Sequence, residues 1–388
     1  MKAVGLFAGI GGLEVGLARA GHETVLASEI LPAAREVLRE RLPDVELTGD
    51  VRKLRSLPSE TELLFGGFPC QDLSQAGDTR GLDGERSGLI SEVFRLARRA
   101  KPNWILLENV PFMLQLRGGE AMLHIVGQLE KLGYRWAWRV VDSFGFGVPQ
   151  RRERVFLLAS KVADPADVLF VDDKPLKRPV TRIGELAHGF YWTEGRGGLG
   201  WAVDAVPTLK NGSAIGIPSP PAILLPSGLI AKPNIRDAER MQGFSPDWTA
   251  PAERVARPSS RWGLVGSAVS VPVAAWIGRR LAKPGKYRPH DEREFPSKGA
   301  LPKAARGDGK KRYAVAISVD PLGIRSEPLA SFLNYPVESL SVRATAGFLS
   351  RTRIATLRFA DGFISAVEKH LAAVTAENNT QTDAKRVA

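Results

Sequence analysis

Cys70 is the only cysteine of the 388-residue chain, and its surroundings indicate a nucleophile. It lies in the run GGFPCQ at residues 66–71, directly after the apolar run ELLF at residues 62–65. That apolar run predicts a buried strand, which the glycine pair ends and after which proline stiffens the backbone. A thiol on a rigid loop at the carboxyl edge of a sheet suits covalent chemistry in an α/β enzyme. A lone cysteine is more often a small buried hydrophobe, so the assignment depends on four further motifs.

A glycine-rich run, LFAGIGG at residues 6–12, follows the β-like residues 2–5 and precedes a helical stretch through Leu13 and Leu17. Such a strand-to-helix turn lets a ligand approach the backbone closely. The dinucleotide pattern GxGxxG fails here because Glu14 stands where the third glycine belongs. The run alone predicts either a nucleotide-type site or a tight structural turn.

Two carboxylates follow predicted strands. Glu29 ends the run VLASE at residues 25–29, about 20 residues after the glycine loop, where ribose hydroxyls are usually held. Asp50, between Gly49 and Val51, ends a predicted third strand. Most surface carboxylates are only solvated, but the position of both after successive strands favours ligand binding.

Glu108 ends the apolar run WILLE at residues 104–108 and is followed by Asn109 and Val110. Burial among apolar groups raises the pKa of a carboxyl and favours its protonated form. Such a group can give a proton to a base ring. The alternative is a strand-terminal glutamate that caps the next helix.

A basic cluster, QRRER at residues 150–154, precedes the run VFLLA at residues 155–159, which predicts another strand. Alternate residues of an extended segment point the same way, so Gln150, Arg152 and Arg154 share one face. Because the cluster adjoins a buried strand, contact with an anion or a nucleobase is favoured over plain solvation.

In this order and at these spacings, the motifs resemble those of the cytosine-5 DNA methyltransferases. The resemblance resumes at RDAERMQGF, residues 236–244, and at VGSAVSVP, residues 265–272. It covers residues 1 to about 160 and about 230 to 282. Ser267 departs from the family, which usually carries asparagine at that position.

The resemblance implies methyl transfer from S-adenosyl-L-methionine to carbon 5 of a cytosine in duplex DNA. The Cys70 thiolate would add to carbon 6 and make carbon 5 an enamine-like nucleophile. Protonated Glu108 would donate to ring nitrogen 3, and Arg154, with Arg152, would hold the carbonyl oxygen at carbon 2. Since the base is out of reach within a stacked duplex, it must rotate into a pocket.

The resemblance also implies a cofactor site and a substrate site, with Phe7 packing on the adenine, Glu29 holding the ribose and Asp50 binding the adenine amino group. The expected cofactor-binding residues are Phe7, Gly9, Ile10, Gly11, Gly12, Glu29, Asp50, Val51, Gly67 and Pro69. The expected substrate-binding residues are Gln71, Ser74 and Gln150, and no metal site is expected.

Composition points to a polyanionic partner, because the formal net charge is +12 and the isoelectric point is about 9.9. That charge fits duplex DNA or RNA. It would also fit a membrane surface, but the sequence has no amphipathic anchor and no long apolar run. A single cysteine excludes an internal disulfide, and the N-terminus enters a strand at once, so we expect a cytoplasmic protein. We also expect a monomer, and a restriction endonuclease that acts on the same DNA site without stable binding.

The chain is predicted to be an α/β protein with a Rossmann-like, S-adenosyl-L-methionine-dependent methyltransferase domain, a smaller target-recognition region and a C-terminal extension. Residues 283–312 read as a basic linker, since they hold ten Lys or Arg against four Asp or Glu. We predict that residues 283–370, including this linker, form part of the DNA-binding surface; the alternative is that residues 340–363 pack against the core. The predicted units are the catalytic domain 1–160, the target-recognition region 161–262, a helix returning to the catalytic domain 263–282, the linker 283–312, the extension 313–373 and a disordered tail 374–388.

Three functions remain open from the sequence. The first is a DNA cytosine-5 methyltransferase, as the protecting partner of a restriction-modification system or a solitary relative. The second is a transfer RNA methyltransferase of the same fold, and the third is a non-enzymatic DNA-binding regulator, against which intact Cys70, Glu108 and Arg154 argue. A nicotinamide oxidoreductase is disfavoured by the broken GxGxxG pattern.

Overall fold

The computed structural model describes residues 1–69, 88–194, 198–212, 220–289 and 292–387, the side chains of 381–387 excepted. The strands are β1 (Lys2–Leu6), β2 (Glu23–Ser28), β3 (Glu46–Thr48), β4 (Leu63–Gly67), β5 (Trp104–Asn109), β6 (Arg135–Asp142), β7 (Gln150–Arg151), β8 (Glu153–Ser160), β9 (His188–Phe190), β10 (Ala202–Val203), β11 (Val206–Pro207), β12 (Ala222–Leu224), β13 (Ile230–Lys232), β14 (Glu292–Glu294), β15 (Ala304–Gly307), β16 (Arg312–Val315) and β17 (Glu338–Ser339). The α-helices are α1 (Gly12–Ala18), α2 (Pro32–Arg41), α3 (Gly88–Ala100), α4 (Glu120–Lys131), α5 (Ala166–Leu169), α6 (Ile235–Met241), α7 (Ser260–Ser267), α8 (Val271–Ala282), α9 (Leu329–Phe332), α10 (Val342–Arg353) and α11 (Phe363–Val387).

The large sheet has the strand order β14-β16-β15-β6-β8-β5-β4-β1-β2-β3. Strands β1 to β5 run parallel to one another, as expected for apolar strands that alternate with helices. Strand β8 runs antiparallel to β5, with Asn109 opposite Val155. The start of β8 therefore lies at the same edge as the carboxyl ends of the parallel strands.

Helices cover both faces of this sheet, because its strands are apolar on both sides. On one face, α3 and α4 bury Val93, Phe94 and Leu129 against the sheet. On the other face, Leu17 of α1 and Trp276 of α8 pack against it. The result is the three-layer α/β arrangement that the sequence predicts.

A smaller sheet, with the order β10-β9-β12-β13-β17, is built from two distant parts of the chain. Its last strand, β17, comes from the C-terminal region and pairs antiparallel with β13. Helices α10 and α11 cover this sheet, and Phe348 and Phe363 are buried against Phe190 of β9. The C-terminal residues therefore pack on this sheet, and the smaller unit is not confined to residues 161–262.

The prediction that residues 283–312 form a basic linker is wrong. Strands β14 and β15 lie within it, and β15 pairs with β6 at the edge of the large sheet. The indoles of Trp136 and Trp138 in β6 stack 4.9 Å apart, and Trp138 Nε1 donates to the Pro302 carbonyl at 3.0 Å. These added strands satisfy the backbone groups of β6 and cover its apolar side chains, which would otherwise form an exposed sheet edge.

The tail also differs from its prediction, since α11 continues to Val387 where the sequence predicts disorder after Ala373. Its first turns are fixed by packing: Phe363 and Val367 are fully buried, and a helix once nucleated extends at little cost. Among the described residues, the structure contains no helix with the length and apolar character needed to cross a bilayer.

Candidate active site

The sequence motifs meet at the carboxyl edge of the parallel strands. Phe7 follows β1, Glu29 follows β2 and Asp50 follows β3 after one intervening residue. Gly67 ends β4, and Glu108 stands beside it in β5, where the two residues are paired in register. Side chains after neighbouring parallel strands converge on one crevice, which is where ligands bind in open α/β sheets.

The Glu29 carboxylate holds the glycine-rich loop by a hydrogen bond to its backbone. Its Oε2 accepts from the Gly9 amide at 2.7 Å, and its Oε1 accepts from the Leu31 amide at 2.7 Å. Burial raises the pKa of Glu29 above its usual value, while these backbone hydrogen bonds oppose the shift. The loop also needs Gly12, because a Cβ there would collide with the Val269 carbonyl oxygen.

An exposed apolar side chain, Ile30, lies directly after Glu29 and is 58% exposed. Val51 is buried at the same edge, and Phe7 is partly buried with a left-handed φ of 57°. Ile30 thus offers an apolar surface next to a carboxylate, an arrangement suited to a flat ring with an attached sugar. Sequence reasoning missed it, although its position beside Glu29 was the available signal.

The Asp50 carboxylate is engaged by Arg52. The guanidinium donates from Nη2 to Oδ2 at 2.7 Å, and the Arg52 amide donates to Oδ1 at 3.0 Å. These hydrogen bonds hold the pKa of Asp50 below its usual value, so the group is an ionised acceptor. Arg52 is itself exposed.

Glu108 and Arg154 form the central pair of the site. Arg154 Nε lies 3.1 Å from Glu108 Oε1, and Glu108 is only 8% exposed. Burial raises the pKa of Glu108, although the charges of Arg154 and Arg152 act in the opposite direction. Gly67 makes room for this carboxyl, because a Cβ on Gly67 would lie 2.8 Å from Glu108 Oε2. A buried acid with an arginine partner can hold a proton and present it to a bound base.

Arg152 is directed toward backbone carbonyls. Its Nη1 donates to Leu209 at 3.1 Å, and its Nη2 donates to Gly266 at 3.2 Å and to Ala268 at 2.7 Å. Arg152 is 2% exposed and lies between β7 and β8. Its hydrogen bonds link these strands to the end of α7 and to Leu209. These contacts favour a positioning role over direct contact with a base.

Gln150 is similarly committed to internal contacts. Its Nε2 donates to the Met241 carbonyl at 3.1 Å, and its Oε1 accepts from the Leu209 amide at 3.1 Å. The side chain is fully buried. Gln150 and Arg152 thus share a face as predicted from their spacing, but that face is turned to the interior.

Cys70, Gln71 and Ser74 lie outside the described residues. The chain leading to Cys70 is nevertheless fixed, because Asn109 Nδ2 donates to the Phe68 carbonyl at 3.0 Å. Phe68 is buried and Pro69 is exposed. Residues 68–69, which precede Cys70, therefore leave the sheet beside the end of β5, next to Glu108.

Asp142, a residue that sequence reasoning missed, holds the basic motif by hydrogen bonds from the protein interior. It is fully buried, and its carboxylate accepts from Arg151 Nε at 2.7 Å and from the Arg152 amide at 2.9 Å. Arg178 Nη2 bridges Asp142, at 3.2 Å, to Asp320, at 2.7 Å. Both segments that lead from the large sheet to the smaller unit are thereby tied to the motif.

Glu14 is a buried acid beneath the glycine-rich loop. It is 2% exposed, and neither carboxyl oxygen has a hydrogen-bond partner among the described residues. Burial raises the pKa of Glu14 to about 8. The folded protein therefore holds this proton at neutral pH, whereas the unfolded chain does not.

Replacing Glu14 by glutamine is expected to change how stability depends on pH. Because the folded pKa is raised, wild-type stability falls as pH rises from about 4.5 to about 8, by a few kcal/mol, whereas the variant lacks this loss. Urea unfolding at several pH values within and beyond this window measures the difference. Glu60, which is exposed, gives the control Glu60→Gln. A stability difference that stays constant with pH would contradict the prediction.

Comparison with known proteins agrees with this geometry. A family model described as C-5 cytosine-specific DNA methylase matches residues 1–188. The chain is 45% identical over 382 residues to the Type II methyltransferase M2.BsuMI of Bacillus subtilis, across 95% of this chain and 98% of that protein. It is 31% identical over 304 residues to the Type II methyltransferase M.NgoMIV of Neisseria gonorrhoeae, across 71% of this chain and 95% of that protein.

The fold has counterparts among solved structures. The Entamoeba histolytica methyltransferase EhMeth matches with a TM-score of 0.52 and 16% identity, across 72% of this chain and 97% of that chain. At this identity the likeness shows the fold alone. Kinship to M2.BsuMI over nearly the whole of both proteins goes further and confirms the resemblance found from the motifs. This chain belongs to the C-5 cytosine-specific DNA methylase family.

Proposed function

We propose that the chain methylates carbon 5 of a cytosine that is rotated out of a specific duplex DNA sequence, through a covalent adduct with Cys70. The observation that carries this proposal is the buried Glu108–Arg154 pair beside the run that leads to Cys70. The names of the similar Type II methyltransferases support a role as the modification enzyme of a restriction-modification system. We further propose that it acts as a cytoplasmic monomer. A restriction endonuclease would act on the same DNA sequence without binding stably to this protein.

The cofactor proposed for this chain is S-adenosyl-L-methionine. The edge of the sheet suits it, because Ile30 is exposed beside Glu29 and the glycine-rich loop brings backbone close to the crevice. Phe7, Ile30 and Val51 would contact the adenine, Glu29 would hold the ribose and Asp50 would accept from the adenine amino group. When bound, the cofactor supplies an electrophilic methyl group.

The protein's residues make cytosine reactive enough to take that methyl group. The Cys70 thiolate forms a bond to carbon 6 with its electron pair, and the electrons of the carbon 5–carbon 6 double bond shift through carbon 4 to nitrogen 3, which takes a proton from Glu108. Carbon 5 becomes nucleophilic and is methylated. Solvent water then takes the proton from carbon 5, the electrons of that C–H bond restore the carbon 5–carbon 6 double bond, and the sulfur leaves as thiolate, while nitrogen 3 returns its proton to Glu108. Arg154 stabilises the carbonyl oxygen at carbon 2 and orients Glu108.

A methyl-transfer assay with labelled cofactor tests the substrate class. We expect incorporation into duplex DNA, with 5-methylcytosine as the product, and none into transfer RNA. Sequencing the methylation pattern of DNA from cells that express the protein then identifies the target site. Labelled transfer RNA with unlabelled DNA would reject the proposal in favour of the transfer RNA methyltransferase. Absence of label from both would favour the DNA-binding regulator.

A further inference from the structure

Helix α10 belongs to the smaller unit, although it lies more than 100 residues beyond β9, β10, β12 and β13 of that unit in sequence. Phe348 and Leu349 of α10 are buried in the core that contains Phe190 and Leu224 of the small sheet. The side chain of His370 closes the arrangement: its Nδ1 accepts from the Ile230 amide at 3.3 Å, and its Nε2 lies 3.0 Å from the carbonyl oxygen of the residue after β17. The C-terminal region is therefore a structural part of this unit and not an appendage.

Arg351, near the end of α10, holds a turn that follows β9. Its Nη2 donates to the Trp192 carbonyl at 2.7 Å, and its Nε donates to the Glu194 carbonyl at 3.0 Å. The turn is closed by the Glu194 amide, which donates to the Tyr191 carbonyl at 3.1 Å. A planar guanidinium that donates to two carbonyls of one turn fixes its orientation as well as its distance.

The opposite side of the same turn is joined by hydrogen bonds to the basic motif at residues 150–154. The Tyr191 hydroxyl donates to the Thr208 carbonyl, and Thr208 Oγ1 donates to the Arg151 carbonyl at 2.8 Å. Lys210 lies 3.9 Å from the centroid of the Tyr191 ring and forms an ion pair with Glu194. Hydrogen bonds thus connect α10, through the turn at residues 191–194, to the strand that leads into Arg152 and Arg154.

We propose that Arg351 is a positioning residue for recognition of the target sequence. It holds the turn at residues 191–194 in register with the basic motif, so that DNA contacts made by the smaller unit are aligned with the catalytic pair. The proposal rests on the proposed function, because it assumes that the smaller unit reads the DNA. It makes the C-terminal region part of the recognition machinery, beyond the residues 1–188 that the family model covers.

Two features favour recognition over simple stabilisation. The core around Phe190 and Phe348 is built from apolar side chains, and Arg351 is not one of its members. The Arg351 guanidinium donates to carbonyls of a surface turn, and Glu194 of that turn and its ion-pair partner Lys210 remain 37% and 40% exposed. Loss of the guanidinium should therefore loosen the turn while leaving the fold of the unit intact.

The test compares Arg351→Ala with Arg353→Ala, a control on the same helix whose side chain is exposed. The measured quantities are kcat and KM for a target duplex, the affinity ratio between that duplex and one with a single changed base pair, the affinity for S-adenosyl-L-methionine and the unfolding temperature. For Arg351→Ala we expect KM to rise about tenfold and the affinity ratio to fall by a similar factor, as for loss of a charged hydrogen bond. Cofactor affinity, kcat and unfolding temperature should stay near wild type, and Arg353→Ala should match wild type throughout.

An unchanged affinity ratio in Arg351→Ala would overturn the proposal, whether or not the unfolding temperature falls, because Arg351 would then be structural at most. If that variant does not fold, Arg351→Lys replaces it, since a lysine reaches one of the two carbonyls and should give an intermediate ratio; a ratio equal to that of wild type would overturn the proposal there. The wild-type protein is measured alongside. If it binds a duplex selectively but fails to methylate it, the proposed function fails separately, and the affinity ratios of the variants for that duplex still decide the role of Arg351.

Discussion

Replacing Cys70 by serine is expected to abolish methyl transfer to duplex DNA, the largest effect of any single substitution in this chain. A neutral hydroxyl cannot supply the soft thiolate that adds to carbon 6, and without that addition carbon 5 is too weak a nucleophile. A free thiol is only a few per cent ionised at neutral pH, so the site must also favour the thiolate. Labelled methyl incorporation into a target duplex measures the loss, while DNA affinity should remain near wild type.

The control for this prediction traps the adduct. A duplex with 5-fluorocytosine at the target cannot lose its substituent from carbon 5, so the wild-type protein with cofactor should stay covalently attached through denaturing electrophoresis. Cys70→Ser should give no attached species. Turnover by Cys70→Ser close to that of wild type, or no adduct with wild-type protein that methylates ordinary DNA, would reject the covalent mechanism.

The positions of the site residues could be predicted because each is set by local sequence. Glu29 and Glu108 each close an apolar run, and apolar runs that alternate with helical periodicity give a parallel sheet with its strand ends at one edge. The structure brings Glu108 next to Gly67 at that edge, as this logic requires. The short distance from Arg154 to Glu108 follows from the antiparallel β8, whose first residues face the last residues of β5.

The direction of a shared face could not be predicted from spacing. Gln150 and Arg152 were expected to face a substrate, but both are buried and bind backbone carbonyls. Their partners Leu209, Met241 and Ala268 come from segments more than 50 residues away. The two-residue alternation of an extended segment predicts which side chains point the same way. Only the tertiary contacts determine whether that side faces a ligand or the interior.

The prediction of a solvated linker in the C-terminal region was wrong for a related reason. The charges of residues 283–312 suggested a solvated linker, but Arg306 is paired with Glu292 and Asp164, and Arg312 is paired with Glu130 of α4. Asp164 and Glu130 lie more than 100 residues from their arginine partners in sequence, so these two pairings leave no local signal. It also means that a chain ending near residue 284 would expose the stacked indoles of β6, so point substitutions such as those at Arg351 test DNA recognition more cleanly than truncation.

Replacing Glu108 by glutamine is expected to lower turnover by about 10² or more, as for loss of a general acid, while DNA binding is largely retained. Glutamine keeps the shape of the side chain and its contact region beside Gly67, but it has no proton to transfer to ring nitrogen 3. Burial raises the pKa of Glu108, so the wild-type rate should fall as pH rises through that raised value and the donor loses its proton. Single-turnover methyl transfer across a pH series measures both effects.

The variant should lose this dependence on the protonation of Glu108, because its amide does not titrate, and its remaining rate should follow only the ionisation of the thiol. Glu120→Gln is the matched control, since Glu120 is exposed at the start of α4 and its replacement should leave the rate and its pH profile unchanged. The Gln variant should still form the 5-fluorocytosine adduct, but more slowly, since the thiol is intact. Turnover near that of wild type would show that another group protonates the ring, and the raised pKa of Glu108 would then reflect burial beside Arg154 alone.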